Sequence, residues 1–194
     1  MSEAPERSDA ELAQAAASGD ERAFAVLLGR HKDSLYRLLR RYVGDSDEAY
    51  EAAHEAFIAA WGALARYDPS RSFGAWLRTI AINKARDRGR RLAVRRFFFR
   101  AQAGDELRTA EVADPSLSGE AELLRRGRLT ELDRAIAQLP ANLKEALLLT
   151  AIDGRSQQEA GDILGVTAKT IETRVYRARR MLAQTLNPSI RTSP

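Results

Sequence analysis

The chain has 194 residues, with 31 Lys/Arg against 27 Asp/Glu, two histidines, no cysteine and a net charge of +4. That length suits one domain or two small ones, and the lack of cysteine excludes disulfides, thiol catalysis and the common structural zinc sites, which fits a reducing, cytoplasmic setting. Met1 to Asp9 is polar and acidic, unlike a signal peptide, and no apolar run approaches the ~20 residues of a membrane helix, so neither secretion nor membrane insertion is expected.

In chain order, a short alanine-rich helix is predicted from Asp9 to Ser18, ended by Gly19, with Asp20 placed to cap the next. The second helix is long. Phe24, Leu27, Leu28, His31, Leu35, Leu38, Leu39 and Tyr42 recur three and four apart as an inward stripe, with His31 a partly buried member, until Gly44 closes it. A third helix is predicted from about Ser46 to Arg66, with Tyr50, Ala53, Phe57, Trp61 and Leu64 inward and Glu48, Glu51 and Glu55 outward. His54 stands among these carboxylates, yet one histidine makes a poor metal site. The better reading is a polar face that docks on a basic partner surface. Tyr67-Asp68-Pro69-Ser70-Arg71-Ser72 reads as a turn, and the fourth helix begins near Ser72. It should bury Phe73, Trp76, Leu77, Ile80 and Ala81 and expose Arg78, Asn83, Arg86 and Arg90.

Charge is unevenly spread. Residues 1–70 hold eight cations against thirteen acids, whereas residues 71–100 hold ten cations against the single acid Asp87, as expected of a segment that follows a phosphate backbone. From Leu92 to about Ser118 the pattern breaks. Arg95-Arg96-Phe97-Phe98-Phe99-Arg100 is basic and aromatic, and Gly104, Asp114, Pro115 and Ser116 interrupt regular structure. This segment is read as a linker, free in the isolated chain and partly docked in a complex. Periodicity resumes near Gly119 with Leu129, Leu132, Ile136 and Leu139, and Pro140 is placed at the first position of a helix carrying Leu143 and Leu147 to Gly154.

The final stretch, Ser156 to Leu186, reads as a helix-turn-helix. Ser156 and Glu159 fit a capping box, Gly165 suits a left-handed turn, and Thr167 caps the second helix. Small residues Ala160 and Gly161 permit a close crossing, while Ile171, Val175, Ala178 and Leu182 form the inward stripe. The opposite face carries Lys169, Thr170, Glu172, Thr173, Arg174, Tyr176, Arg177 and Arg180, the cations and hydrogen-bonding groups of a helix that meets a major groove. No β pattern appears, so the expected fold is all-α, two small helical domains joined by a flexible linker: residues 9–91, linker 92–118, and residues 119–187.

Both halves resemble one family, the extracytoplasmic-function (ECF) class of bacterial sigma factors. The first is similar to sigma region 2 through His54-Glu55-Ala56-Phe57, Ala60-Trp61, the run Phe73-Gly74-Ala75-Trp76-Leu77-Arg78-Thr79-Ile80-Ala81-Ile82-Asn83, and Arg90-Arg91. The second is similar to region 4 through Leu139-Pro140, Gly154-Arg155-Ser156, Glu159, Gly165-Val166, Thr170-Ile171, Arg174 and Arg177-Ala178-Arg179. His54 departs from the family's usual Gln, Glu51 from Asp, and Gln157, Ala160 and Gly161 from an aromatic, an Ile and an Ala.

The resemblance implies a dissociable subunit that binds core RNA polymerase and promoter DNA and answers to an anti-sigma factor. It implies a monomer when free, no catalytic residue, no cofactor and no metal. Glu48, Glu51, His54 and Glu55 would contact polymerase. Tyr67, Asp68, Ser70, Arg71, Arg78, Asn83, Lys84, Arg86 and Arg90 would meet the minus-ten element, with Tyr67 and Asn83 beside a flipped base. Lys169, Thr170, Glu172, Thr173, Arg174, Tyr176, Arg177 and Arg180 would meet the minus-thirty-five element. A freestanding helix-turn-helix regulator is the alternative, but it would leave the aromatic loop and basic fourth helix without a purpose.

Overall fold

The computed structural model describes residues 7–102 and 120–186. Among these residues there is no strand, and the helices in chain order are α1 (Asp9–Ala17), α2 (Glu21–Val43), α3 (Ser46–Ala63), α4 (Phe73–Gln102), α5 (Glu120–Ala137), α6 (Ala141–Leu147), α7 (Gln157–Leu164) and α8 (Ala168–Leu186). A 3-10 turn, Leu64–Arg66, extends α3, and a π-helical turn, Leu148–Ile152, extends α6.

Caps set the boundaries. Ser8 and Glu11 form a capping box at α1, Asp20 and Asp45 accept first-turn amides of α2 and α3, and Gly44 ends α2 in a left-handed conformation (φ 88°). The first core gathers Leu12, Leu27, Leu35, Leu39, Phe57, Phe73 and Leu77. On α3 the buried face is Ala49, Ala52, Ala53, Ala56, Phe57 and Ala60. Tyr50 and Trp61, expected inward, are instead 66% and 38% exposed. The alanine face explains this reversal, because small side chains let α2 and α4 approach closely and leave no room for two large rings. Leu28 and Leu129 likewise lie on the exposed edges of their helices.

Two boundaries also differ from expectation. Helix α4 continues to Gln102, well into the segment read as linker. Between Gly89 and Gly104 the sequence holds no Gly or Pro, so nothing local stops helix propagation. The expected mobility at 103–118, and any docking by Phe97, Phe98 and Phe99, fall outside the described residues and side chains. Pro140 caps α6 from just outside, its carbonyl accepting from Leu143 and Lys144, rather than occupying the first helical position.

The second core comprises Ile136, Leu139, Leu143, Leu147, Leu148, Leu149, Ile163, Ile171 and Val175, and Leu38 of α2 and Ile82 of α4 are buried in the same cluster. The two lobes therefore pack against each other. Within the second lobe, Ser156 and Glu159 make the expected capping box, and Gly165 turns the chain at φ 68°. A Cβ on Gly161 would lie 2.6 Å from the Val166 carbonyl oxygen, so glycine is needed for α7 to meet the turn that leads into α8. Thr167 Oγ1 accepts the Thr170 amide at 3.2 Å, as a cap should.

A candidate nucleic-acid interface on two helices

Helix α8 buries Ile171, Val175 and Ala178 and turns its other face to solvent. Glu172, Thr173, Tyr176, Arg177 and Arg180 are exposed there, with Lys169 80% exposed, while Thr170 and Arg174 are half-buried at the edge. Lys169 Nζ pairs with Glu172 at 2.9 Å, so the one acid on this face neutralises a neighbour. Thr173 donates to the Lys169 carbonyl. The arrangement is a preformed basic surface of the length and shape that enters a major groove.

The first lobe presents its expected residues differently. Asn83 and Arg90 are exposed, the latter paired with Asp87, and Lys84 is half-buried. In the loop before α4, Asp68, Ser70 and Arg71 are exposed. Hydrogen bonds from Ser70 hold the Asp68 carboxyl below the usual range. Tyr67, however, is buried. Its ring packs edge-on against Phe73 and at 5.2 Å from Trp76, and its hydroxyl donates to the Arg71 carbonyl at 2.6 Å. In this conformation Tyr67 shapes the loop from within instead of offering a stacking face.

Arg78 departs furthest from expectation, being 2% exposed. It meets Asp153 through Nε, and Nη2 donates to the same carboxylate at 2.7 Å. Nη1 donates to the Gly74 carbonyl at 3.0 Å and Nη2 also to Ser34 at 3.2 Å. Two turns further on, Arg86 grips Glu145 with Nε at 2.6 Å and with Nη2, while Tyr42 donates to the same carboxylate at 3.0 Å. Burial, followed by the charge of Glu145, pushes the Tyr42 phenol well above its ordinary pKa, and the Glu145 hydrogen bonds push Arg86 up. Both carboxylates come from the second lobe. Periodicity within the first lobe alone leaves both arginines exposed, because it carries no sign of the second lobe that lies against α4. Asp153 and Glu145 were not anticipated, although an acid inside Leu143-Lys144-Glu145-Ala146-Leu147 was a signal that something charged faces that helix.

On α3, Glu51 and His54 are exposed, whereas Glu48 and Glu55 are both engaged by Arg88 of α4, the latter at 3.0 Å. The hydrogen bond to Glu48 raises the Arg88 pKa. Tyr50 and Ile58 stand exposed one turn from His54 on either side, an apolar addition to the acidic face. No group of three or more potential metal-ligating side chains occurs among the described residues, nor any helix long and apolar enough to cross a membrane.

Two packed helical lobes, one ending in a helix-turn-helix with an exposed basic face, are the architecture of a DNA-reading protein. Residues 27–95 match sigma-70 region 2, and residues 129–182 match sigma-70 region 4. The chain is 38% identical to the RNA polymerase sigma factor CnrH of Cupriavidus metallidurans, over 94% of this chain and 96% of that protein. It is 33% identical to the ECF RNA polymerase sigma factor SigW of Bacillus subtilis, over 87% and 91%. The solved structure of CnrH in complex with the cytosolic domain of CnrY aligns with a TM-score of 0.68 at 32% identity, covering 93% of this chain and 97% of that one. The chain belongs to the ECF class of bacterial RNA polymerase sigma factors, an alternative sigma factor that directs RNA polymerase to promoters.

Proposed function

We propose that this sigma factor divides promoter reading between its lobes. The exposed face of α8, with Arg177, Tyr176, Thr173 and Glu172 at its centre, reads the minus-thirty-five major groove, and Lys169, Arg174 and Arg180 hold flanking phosphates. The face of α4 that carries Arg78, Asn83, Lys84, Arg86 and Arg90, with the Asp68 to Arg71 loop, takes the minus-ten strand once the lobes separate. Tyr67 supports that loop. Glu51 and His54, with Glu48 and Glu55 beside them, dock on core polymerase. The observation that carries this reading is the one-sided basic surface of α8 behind a capped, glycine-turned α7, in a chain whose other lobe has its own basic helix.

An anti-sigma partner that restrains the free sigma follows from the same reading, and the similar chain CnrH has been solved in complex with another protein, the cytosolic domain of CnrY. The test is to mix the purified chain with core polymerase and a pool of promoter fragments. Co-elution and promoter-dependent transcripts are expected. A freestanding regulator would neither co-elute with core nor confer transcripts, and that result would overturn the proposal.

A further inference from the structure

The seam between the lobes has a chemistry of its own. Arg78, Thr79, Ile82 and Arg86 form one face of α4. Each meets the second lobe: Arg78 at Asp153, Thr79 Oγ1 at the Ile163 carbonyl (3.2 Å), Ile82 in the apolar cluster and Arg86 at Glu145. Both carboxylates are almost wholly buried, at 4% and 2% side-chain exposure; each is gripped by Nε and Nη2 of its α4 arginine, and Asp153 also accepts from Arg155 Nε at 3.1 Å. This is the geometry in which a guanidinium takes a phosphate. The seam is also narrow. A cleft of about 570 Å³ lined by Tyr42, Arg86, Arg88, Arg90 and Lys144 flanks it on one side, and one of about 300 Å³ lined by His31, Arg37, Arg78, Asp153 and Arg155 on the other. Cations outnumber acids in the lining of both.

We propose that the second lobe closes over α4 as an internal substitute for nucleic acid, with Asp153 and Glu145 holding Arg78 and Arg86 in place of DNA phosphates. The closed chain buries Arg78, engages Arg86, and leaves α8 exposed. Separating the lobes exchanges carboxylate for phosphate on the same two arginines, so opening and strand binding become one competition. The inference rests on the reading of α4 as a nucleic-acid surface.

The chain has no cysteine, so single cysteines placed at the exposed positions Lys32 and Gln184 permit spin labelling without background. The full chain is compared with its Glu145→Gln/Asp153→Asn double variant by distance distribution and by affinity for a fluorescein-labelled single-stranded 20-mer. The parent should give a short, narrow distance and weak binding. The double variant should give a longer, broader distance and bind the oligonucleotide at least ~10-fold more tightly, because the two arginines lose their charged partners. Where the double variant does not fold, Glu145→Gln alone, which keeps an acceptor for Tyr42 and Arg86, should show the same change in smaller degree. An unchanged distance distribution overturns the closure proposal. Opening without a gain in oligonucleotide affinity overturns the substitution of carboxylate for phosphate. Transcription with core polymerase separates the two levels, since promoter-dependent transcripts from the parent chain sustain the sigma reading even when either result goes against closure.

Discussion

Helices α8 and α4 are both basic, and both were expected to meet DNA, yet the structure treats them in opposite ways. The polar face of α8 is turned to solvent, and its local ion pair, Lys169 with Glu172, is 80% and 52% exposed. On α4 the pair of Arg78 with Asp153 is 3% and 4% exposed. An exposed i,i+3 pair contributes only a few tenths of a kcal/mol and yields readily to a phosphate. A buried pair has already lost its water, so removing one partner is costly. Similar cations are therefore ready on one helix and committed on the other, and what separates them is the position of a carboxylate supplied by a distant segment.

The largest expected effect tests that commitment. Asp153→Ala leaves Arg78 buried without its charge partner and should cost the closed arrangement about 3–5 kcal/mol, enough to shift the balance towards separated lobes by two orders of magnitude or more. The distance between labels on the two lobes measures it. Arg78→Met/Asp153→Leu removes both charges together and should restore closure, because a packed apolar pair substitutes for a buried ion pair at little or no cost, while Arg155, which also donates to Asp153, keeps its pair with Glu159 at 3.1 Å. If neither variant opens, the ion pair is incidental to the seam.

On the other side of the comparison, Arg177→Ala should leave the distance between lobes unchanged and weaken binding to promoter duplex by about 1–3 kcal/mol, roughly 5-fold to over 100-fold. A gel shift with duplex DNA from a promoter found by transcript sequencing checks it. Loss of closure in this variant would mean that α8 takes part in the seam.

How much of this contrast was legible in the sequence follows from chain separation. The helix-turn-helix could be read in detail because its signals are local: Ser156 with Glu159, the left-handed Gly165 and the stripe of Ile171, Val175 and Ala178 all lie within a few turns. The outward face of α8 followed directly. The covering of α4 could not be read that way, since Arg78 and Asp153 lie 75 residues apart and Arg86 and Glu145 59 apart. Periodicity places a residue on a face but does not say what lies against that face. The inward assignment of Tyr50 and Trp61 failed for a related reason. Spacing alone favoured the large rings, whereas the alanines beside them allowed closer helix packing and took the interior.

Tyr67 sharpens the comparison at a smaller scale. Tyr67→Phe keeps the ring against Phe73 and Trp76 and removes only the hydroxyl bond to the Arg71 carbonyl, so the first lobe should lose about 1 kcal/mol, read as a lower midpoint in thermal unfolding. Duplex binding through α8 should be unaffected. A variant as stable as the parent would show that the hydroxyl bond does not hold the loop.

The smallest effect lies at the start of α7, where the second lobe's stability can be changed without touching either face. Ser156 Oγ accepts the Glu159 amide at 3.1 Å, and the Glu159 carboxylate accepts the Ser156 amide at 2.9 Å. Ser156→Ala removes half of the capping box and should cost about 1 kcal/mol. The pH dependence gives a second readout. Hydrogen bonds from the Ser156 amide and hydroxyl, followed by the one from Arg155, hold the Glu159 carboxyl below its ordinary value of 4.5. Its folded pKa therefore lies below its unfolded one, so the stabilisation is complete above the unfolded value and is lost as pH falls through the folded one. In the parent chain this gives a modest loss of second-lobe stability below about pH 4.5, small because the carboxylate is exposed to solvent. In Ser156→Ala the carboxyl loses its hydroxyl partner, its folded and unfolded values approach each other, and the acid limb of the stability curve should become shallower. Chemical denaturation followed at a tryptophan would miss this change, because Trp61 and Trp76 both lie in the first lobe. Amide exchange along α7 between pH 3 and 6 reads it directly, after correction for the intrinsic pH dependence of exchange, and parallel profiles for the two proteins would show that the Ser156 hydroxyl has no part in holding the Glu159 carboxylate.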